Sequence, residues 1–187
     1  LKITVLQPLD TNMTEIIQMT NDAESDLVVW PEAVTVYDKN ISRFIPQKEV
    51  IGGFFRKENT NFYTSAINIK TGHFHDKRNL VPFGEFQPFG NLLESFNDFF
   101  NIPNSSLSRG DLNQIKVDWS ALICWELAFN NTFTDRVRGT KYIIHMSNDK
   151  WYGESMPVQH LQHAKARAVE SNKWVARATL DLSLIHI

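Results

Sequence analysis

Apolar residues along this chain fall into short blocks of two distinct spacings. Runs rich in Val, Ile and aromatic residues at Ile3 to Gln7, Leu27 to Trp30, Val50 to Phe55 and Tyr63 to Ile69 lie between Pro, Gly and polar residues, the pattern of strands. Thr71 and Gly72 then read as a turn leading into His73 to Asp76, so a hairpin with antiparallel pairing is expected there. Further strands are predicted at Gln114 to Val117, Ala121 to Cys124, Lys141 to Met146 and Trp174 to Ala178. Helical spacing appears at Glu126 to Arg138 and again at Pro157 to Ser171, where Val158, Leu161, Ala164 and Ala168 share one side and should pack on a sheet. Pro157 suits a first helical turn.

Between Lys77 and Gly110 the chain is rich in Phe, Pro and Gly and predicts only one short helix, around Leu92 to Phe100. A loop of that length is usually functional. Its stripe of Leu92, Leu93, Phe96, Phe99 and Phe100 suits either a lid that meets lipid or ordinary core packing. The alternation of strands and helices, without repeat or linker, points to one α/β domain in a layered sandwich over residues 1–181.

Composition narrows the functions open to such a domain. Of 187 residues 42% are hydrophobic and 21% charged, a globular balance that argues against disorder. A net charge of −2 with no Lys/Arg stripe lacks the footprint of a nucleic-acid binder. The longest apolar runs fall far short of the ~20 residues that span a bilayer. The chain opens on Leu1 without an initiator Met or signal-like segment, so its true N-terminus is expected upstream. Residues 182–187, Leu-Ser-Leu-Ile-His-Ile, read as the translated end of a sequencing-library transposon and are set apart from the fold.

Three side chains stand just past predicted strands. Cys124, the single cysteine, ends an apolar run and precedes a helical segment; a helix N-terminus there would lower its thiol pKa and offer N–H groups to an oxyanion. A lone Cys in that position is also an ordinary small core residue. Glu32 follows a buried strand at its carboxyl end, where α/β sites form, and Lys77 follows the hairpin; taken singly, each reads as a solvated charge. His73 with His75, and His160 with His163, have pair spacing for a metal, but neither pair has a third ligand beside it, so no metal or other cofactor is expected.

Trp30-Pro31-Glu32, the run from Lys77 to Glu85 and Cys124-Trp125-Glu126 together resemble the three catalytic segments of the nitrilase, or carbon–nitrogen hydrolase, superfamily, in the same order. Leu80-Val81-Pro82-Phe83-Gly84-Glu85, Ser105 to Gly110, Ser147 to Gly153 and Arg177-Ala178-Thr179 are similar to segments of the apolipoprotein N-acyltransferase family within it. The likeness runs from Ile3 to Thr179. It departs at Lys150, where a small residue is usual, at Trp125, where Tyr is common, and in a short Gln7 to Trp30 segment.

The resemblance implies a four-layer α-β-β-α sandwich lacking the family's last strands, and a Glu-Lys-Cys triad of Glu32, Lys77 and Cys124. Glu32 would act as general base, Cys124 as nucleophile through a thioester, and Lys77 as oxyanion stabiliser. Glu85 and Glu126 would orient Lys77 or the incoming amine, while Trp125 and Trp151 would line the acyl entrance. The implied acyl donor is a phospholipid and the acceptor the N-terminal amine of a diacylglyceryl-cysteine lipoprotein. The implied setting is the bacterial inner membrane with the catalytic domain facing the periplasm, reached through a membrane region N-terminal to this chain. A soluble amidase using the same triad with water, and a non-catalytic module that keeps the fold, are the competing readings.

Overall fold

The computed structural model describes residues 1–86, 107–111, 117–152 and 155–180, for 151 and 152 the backbone alone. Among these residues two sheets form. The first has strand order β1 (Ile3–Val5), β2 (Leu27–Val29), β4 (Glu49–Glu58), β5 (Asn61–Asn68), β6 (Phe74–Asp76), with β3 (Thr35–Val36) pairing β4 beyond the end of β2. β1, β2 and β4 run parallel, and β4, β5 and β6 are antiparallel. The second sheet is parallel throughout: β7 (Trp119–Ile123), β8 (Tyr142–Asn148), β9 (Val175–Leu180).

The two-residue period of a strand decides how the layers stack. In the first sheet Val28, Trp30, Val50 and Phe54 point outward and bury Ile16 of helix α1 (Met13–Asp22). Leu27, Val29, Ile51 and Ala66 point inward and meet Ala121, Ile123, Ile144, Met146 and Ala178 of the second sheet. The outer face of that sheet, with Leu122, Ile143 and Val175, is covered by Phe133 and Val137 of α2 (Asn130–Val137) and by Ala164 of α3 (Ser155–Ser171). The order is therefore helix, sheet, sheet, helices, the four-layer sandwich expected from the sequence.

Most strand positions match the sequence expectation, and the hairpin turn is sharp because Gly72 adopts φ +75, a conformation that costs glycine little. Several elements differ. The helix expected over Glu126 to Arg138 is two pieces, a 3-10 turn at Cys124–Ala128 and then α2, because Phe129 is extended between them (φ −99, ψ 105). The buried stripe of α3 is His160, Ala164 and Arg167, at i, i+4 and i+7, which leaves Val158 exposed. Polar residues occupy that stripe because Arg167 donates to the Leu127 carbonyl (2.8 Å) and lies over the Phe133 ring (4.5 Å). Helix α1 was not anticipated; its signals are the Asn12 cap, whose side chain accepts from the amides of Thr14 and Glu15, and the spacing of Met13, Ile16 and Ile17. Of the strand expected at Gln114 to Val117 only Val117 is described, outside any strand, and the helix around Leu92 to Phe100 lies outside the described residues.

Candidate active site

Three segments converge at one end of the two sheets. Pro31 and Glu32 leave β2 and cross β4 so closely that a Cβ on Gly53 would fall 2.4 Å from the Pro31 carbonyl and 2.6 Å from the Glu32 Cα. Glycine at 53 is thus required for Glu32 to take its place. Lys77 follows β6, anchored by its amide on the Thr64 carbonyl (2.7 Å) and by its carbonyl on the Gly110 amide (2.9 Å). A Cβ on Gly110 would meet the Asp76 carbonyl oxygen at 2.4 Å, so this contact also depends on glycine. Cys124 ends β7.

Glu32, Lys77 and Cys124 line one cavity of about 190 Å³, with Glu85, Asn148 and the apolar Ala33, Phe55, Val81 and Leu107 around them. The Lys77 ammonium, 1% exposed, donates to Glu32 Oε1 (2.9 Å) and Glu85 Oε1 (2.7 Å). Each carboxylate is held a second time by main chain, Glu32 Oε2 by the Asn148 amide (3.0 Å) and Glu85 Oε2 by the Val81 amide (2.8 Å). The lysine is thereby fixed between two carboxylates that are themselves fixed.

The protonation pattern follows from burial and neighbours. Burial opposes the Lys77 charge, but Glu32, Cys124 and Glu85 outweigh it and hold the ammonium above the ordinary lysine range. Burial pushes the Glu85 carboxyl up against the pull of Lys77. The Cys124 thiol is pushed up to about 12, first by burial and then by Glu32, against the opposing pull of Lys77. This corrects the sequence expectation of a thiol acidified by a helix N-terminus. The turn that Cys124 opens spans only five residues, and desolvation with an adjacent carboxylate outweighs its partial charge. The resting thiol is protonated.

Backbone conformation marks the same place. Five non-glycine residues have positive φ among the described residues, and Asn59 and Asn172 are a residue type that accepts it. The other three, Ala33, Phe83 and Cys124, sit next to Glu32, two residues before Glu85 and at the thiol itself. Such positions cost about 1–3 kcal/mol each and concentrate at functional sites.

Glu126 and Trp125 stand differently from the sequence expectation. Glu126 is fully buried and outside the cavity lining: Oε1 accepts from the amides of Arg78 (2.7 Å) and Asn79 (3.2 Å), and Oε2 from the Ile123 amide (2.9 Å) and Arg136 Nη1 (3.4 Å). Its oxygens are committed to tying the Lys77 loop to the Cys124 turn, which leaves none for a substrate. Trp125 is also outside the lining; its indole N–H donates to the Asn79 carbonyl (2.6 Å) and its ring meets Phe129 edge-on. The side chain of Trp151 lies outside those described. Glu126→Gln should lower the urea midpoint by a loss of about 1–3 kcal/mol, because the new amide N–H would oppose N–H donors on one side. An unchanged midpoint would show that these contacts carry no stability.

Sequence reasoning missed Asn148, whose role rests on its main-chain amide, and a buried group behind Cys124 formed by His145, Ser147, Asp149, His160 and Arg177. The paired histidines do not form a metal cluster among the described residues. His160 bonds Asp149 (2.8 Å) and His75 stacks on Trp119 (centroids 4.6 Å apart).

The carbon–nitrogen hydrolase family matches residues 46–180, a span that includes Lys77 and Cys124 but not Glu32. The apolipoprotein N-acyltransferase of Vibrio vulnificus is 30% identical over 184 residues, covering 83% of this chain and 36% of that protein. The protein of that name from Shewanella oneidensis is 34% identical over 190 residues, again covering 83% and 36%. The chain spans about a third of the length of the curated relatives it matches. Among solved structures, a CN-hydrolase superfamily protein from Xanthomonas campestris superposes with a TM-score of 0.67 at 15% identity, over 95% of this chain and 75% of that one. The C. elegans NitFhit protein gives 0.65 at 14% identity, over 97% and 51%. At such identities these two show a shared fold.

Proposed function

This chain belongs to the carbon–nitrogen hydrolase family, and from that premise we propose that it carries the catalytic site of an apolipoprotein N-acyltransferase, with Glu32, Lys77 and Cys124 as the triad. The observation that supports the chemistry is the meeting of a buried thiol, a buried ammonium and two held carboxylates on one cavity. The likeness to relatives named apolipoprotein N-acyltransferase supports this activity over others of the family.

In this reading Cys124 S–H loses its proton to Glu32 as sulfur attacks the ester carbonyl of a phospholipid acyl chain. A thiol that rests protonated needs such a base within the step. Lys77, always charged, stabilises the tetrahedral oxyanion, and collapse expels the lysophospholipid alcohol with a proton from Glu32. The N-terminal amine of a diacylglyceryl-cysteine lipoprotein then attacks the thioester and gives its proton to Glu32; an amide forms and the thiol is restored. Glu85 keeps Lys77 in place throughout. The apolar lining from Ala33, Phe55, Val81 and Leu107 suits the start of an acyl chain.

We place the chain, as residues 1–181 of one catalytic domain, at the bacterial inner membrane facing the periplasm, and read residues 182–187 as foreign to it; sequencing the native locus tests the last point. Among the described residues no helix is long and apolar enough to cross a membrane. The deciding experiment supplies the full-length product of that locus with phospholipid labelled in its acyl chain. Label that becomes attached to Cys124, is released by hydroxylamine, and passes to the amine of a diacylated lipopeptide supports the acyltransferase. Label released only as free acid, or release of ammonia from small amides, would move the assignment to a water-using amidase.

A further inference from the structure

At Cys124 the chain leaves the second sheet. The β7–β8 ladder ends with Ile123 opposite Met146; Ile123 is still extended (φ −103, ψ 120), and the next residue turns to φ +54. A residue with a Cβ keeps such a conformation only where its surroundings hold it. From behind the strand a side chain reaches this peptide: His145 Nε2 lies 3.1 Å from the Cys124 carbonyl oxygen, which can only accept, so the imidazole donates. His145 is an odd residue for its place. In β8 Ile144 and Met146 face the first sheet, so His145 faces the helices together with Ile143, beside an apolar layer of Leu122, Ala164 and Val175. It is fully buried, and among the described residues its Nδ1 has no hydrogen-bond partner, an unfavourable state that an aliphatic side chain would avoid.

We propose that His145 is a positioning residue, which holds the Cys124 peptide in its left-handed conformation by donating from Nε2 to the carbonyl and so keeps the thiol on the cavity beside Glu32 and Lys77. This rests on reading Cys124 as the nucleophile. The two ring nitrogens account for each other: a neutral imidazole carries one N–H, the Cys124 carbonyl fixes it at Nε2, and Nδ1 is left bare. The ring stays neutral because burial, and after it the Arg177 charge and His160, push its pKa well down. It is also held in place. The His160 ring meets it edge-on with centroids 5.8 Å apart, His160 is tied to Asp149 (2.8 Å), and Asp149 to Arg177 of β9 (2.6 Å). The buried polar group behind Cys124 thus fixes the imidazole, and the imidazole fixes the nucleophile's backbone. Without that donor Cys124 is freer to relax toward the negative φ that residues with a Cβ prefer, and its Cα–Cβ bond swings with it.

The burst of 4-nitrophenol from 4-nitrophenyl acetate measures acylation of Cys124 whatever the natural donor is, and is read on the full-length product. His145→Met, which has no donor, should lower the maximal burst rate at least about tenfold, the kinetic equivalent of one hydrogen bond, and leave the ester concentration for half that rate unchanged. His145→Gln, whose amide nitrogen reaches the place of Nε2, should recover most of the wild-type rate. A residue that only filled space would be replaced as well by Met as by Gln. If His145→Met loses its folded circular dichroism, His145→Asn, whose amide is too short to reach the carbonyl, takes its place. A wild-type burst in the Met or Asn variant, or a folded Gln variant as slow as either, would overturn the proposal. A wild-type protein with no burst beyond that of Cys124→Ala overturns this proposal and the nucleophile assignment together. A burst that depends on His145 in a protein that transfers no acyl chain to a lipopeptide sinks the acyltransferase reading and leaves this one standing.

Discussion

Cys124→Ala should abolish acyl transfer and all covalent labelling while the fold stays intact. The chain holds no second thiol to take up the reaction, and the charged side chains on the cavity, Glu32, Lys77 and Glu85, are bound to one another. The thiol is 2% exposed among apolar neighbours, so its loss removes a small buried volume, a change within about 1 kcal/mol at neutral pH. The positive φ at this position is as unfavourable for Ala as for Cys, and the substitution does not relieve it.

A pH dependence separates this variant from the wild type. In the folded state the thiol is pushed from its usual 9.0 up to about 12. Between those values the unfolded chain has lost the proton and the folded chain retains it, so the folded state binds more protons and wild-type stability falls as pH rises. The slope from this one group approaches about 1.4 kcal/mol per pH unit. The alanine variant lacks it and should overtake the wild type in urea midpoint above about pH 9, the ordinary value for the free thiol. Parallel midpoints for the two proteins through the alkaline range would show that the thiol is not held neutral.

The same residue shows where sequence reading stops. Strands such as β2, β4 and β8 were legible because Val and Ile concentrate where both faces of a strand are buried, and the two-residue period sorts those faces between the layers. The positions of Glu32, Lys77 and Cys124 past their strands were legible for the same reason. The direction of the thiol's shift was not, because it depends on how deeply Cys124 lies and on a carboxylate 92 positions away in the chain, neither of which a local pattern carries. Glu126 misled in a similar way. Its neighbour Cys124 suggests a substrate contact, whereas its partners Arg78, Asn79 and Arg136 lie on other segments. The network of Asp149, His160 and Arg177 joins three elements and has no period at all, so apolar spacing in α3 pointed to Val158 where His160 is buried.

Lys77→Met should do the most damage to the protein as a whole. Met is close to Lys in volume, so packing is little changed and the effect is electrostatic. The wild-type ammonium neutralises two carboxylates that approach it at 2.9 and 2.7 Å in a site almost closed to water. Without it Glu32 and Glu85 face each other with only the Asn148 and Val81 amides to hold them. Breaking a buried charge cluster by removing one partner costs about 3–5 kcal/mol. One carboxyl will relieve the strain by taking a proton, and Glu85 is the better candidate, since burial already pushes it up and Lys77 is what pulls it back. The sign follows from that: a carboxyl whose folded pKa is raised binds its proton more tightly in the folded state, so the variant's stability falls as pH rises above about 4, the unfolded carboxylate value. Its deficit against the wild type should therefore be small in mild acid and full at neutral pH. Activity should fall by at least about a hundredfold to a thousandfold even in fully folded protein, the usual cost of losing one oxyanion donor. Urea unfolding in mild acid and at neutral pH, with transfer measured on the folded fraction, tests both halves. A deficit independent of pH would mean that the carboxylates do not depend on Lys77, and full transfer would remove the ammonium from the reaction.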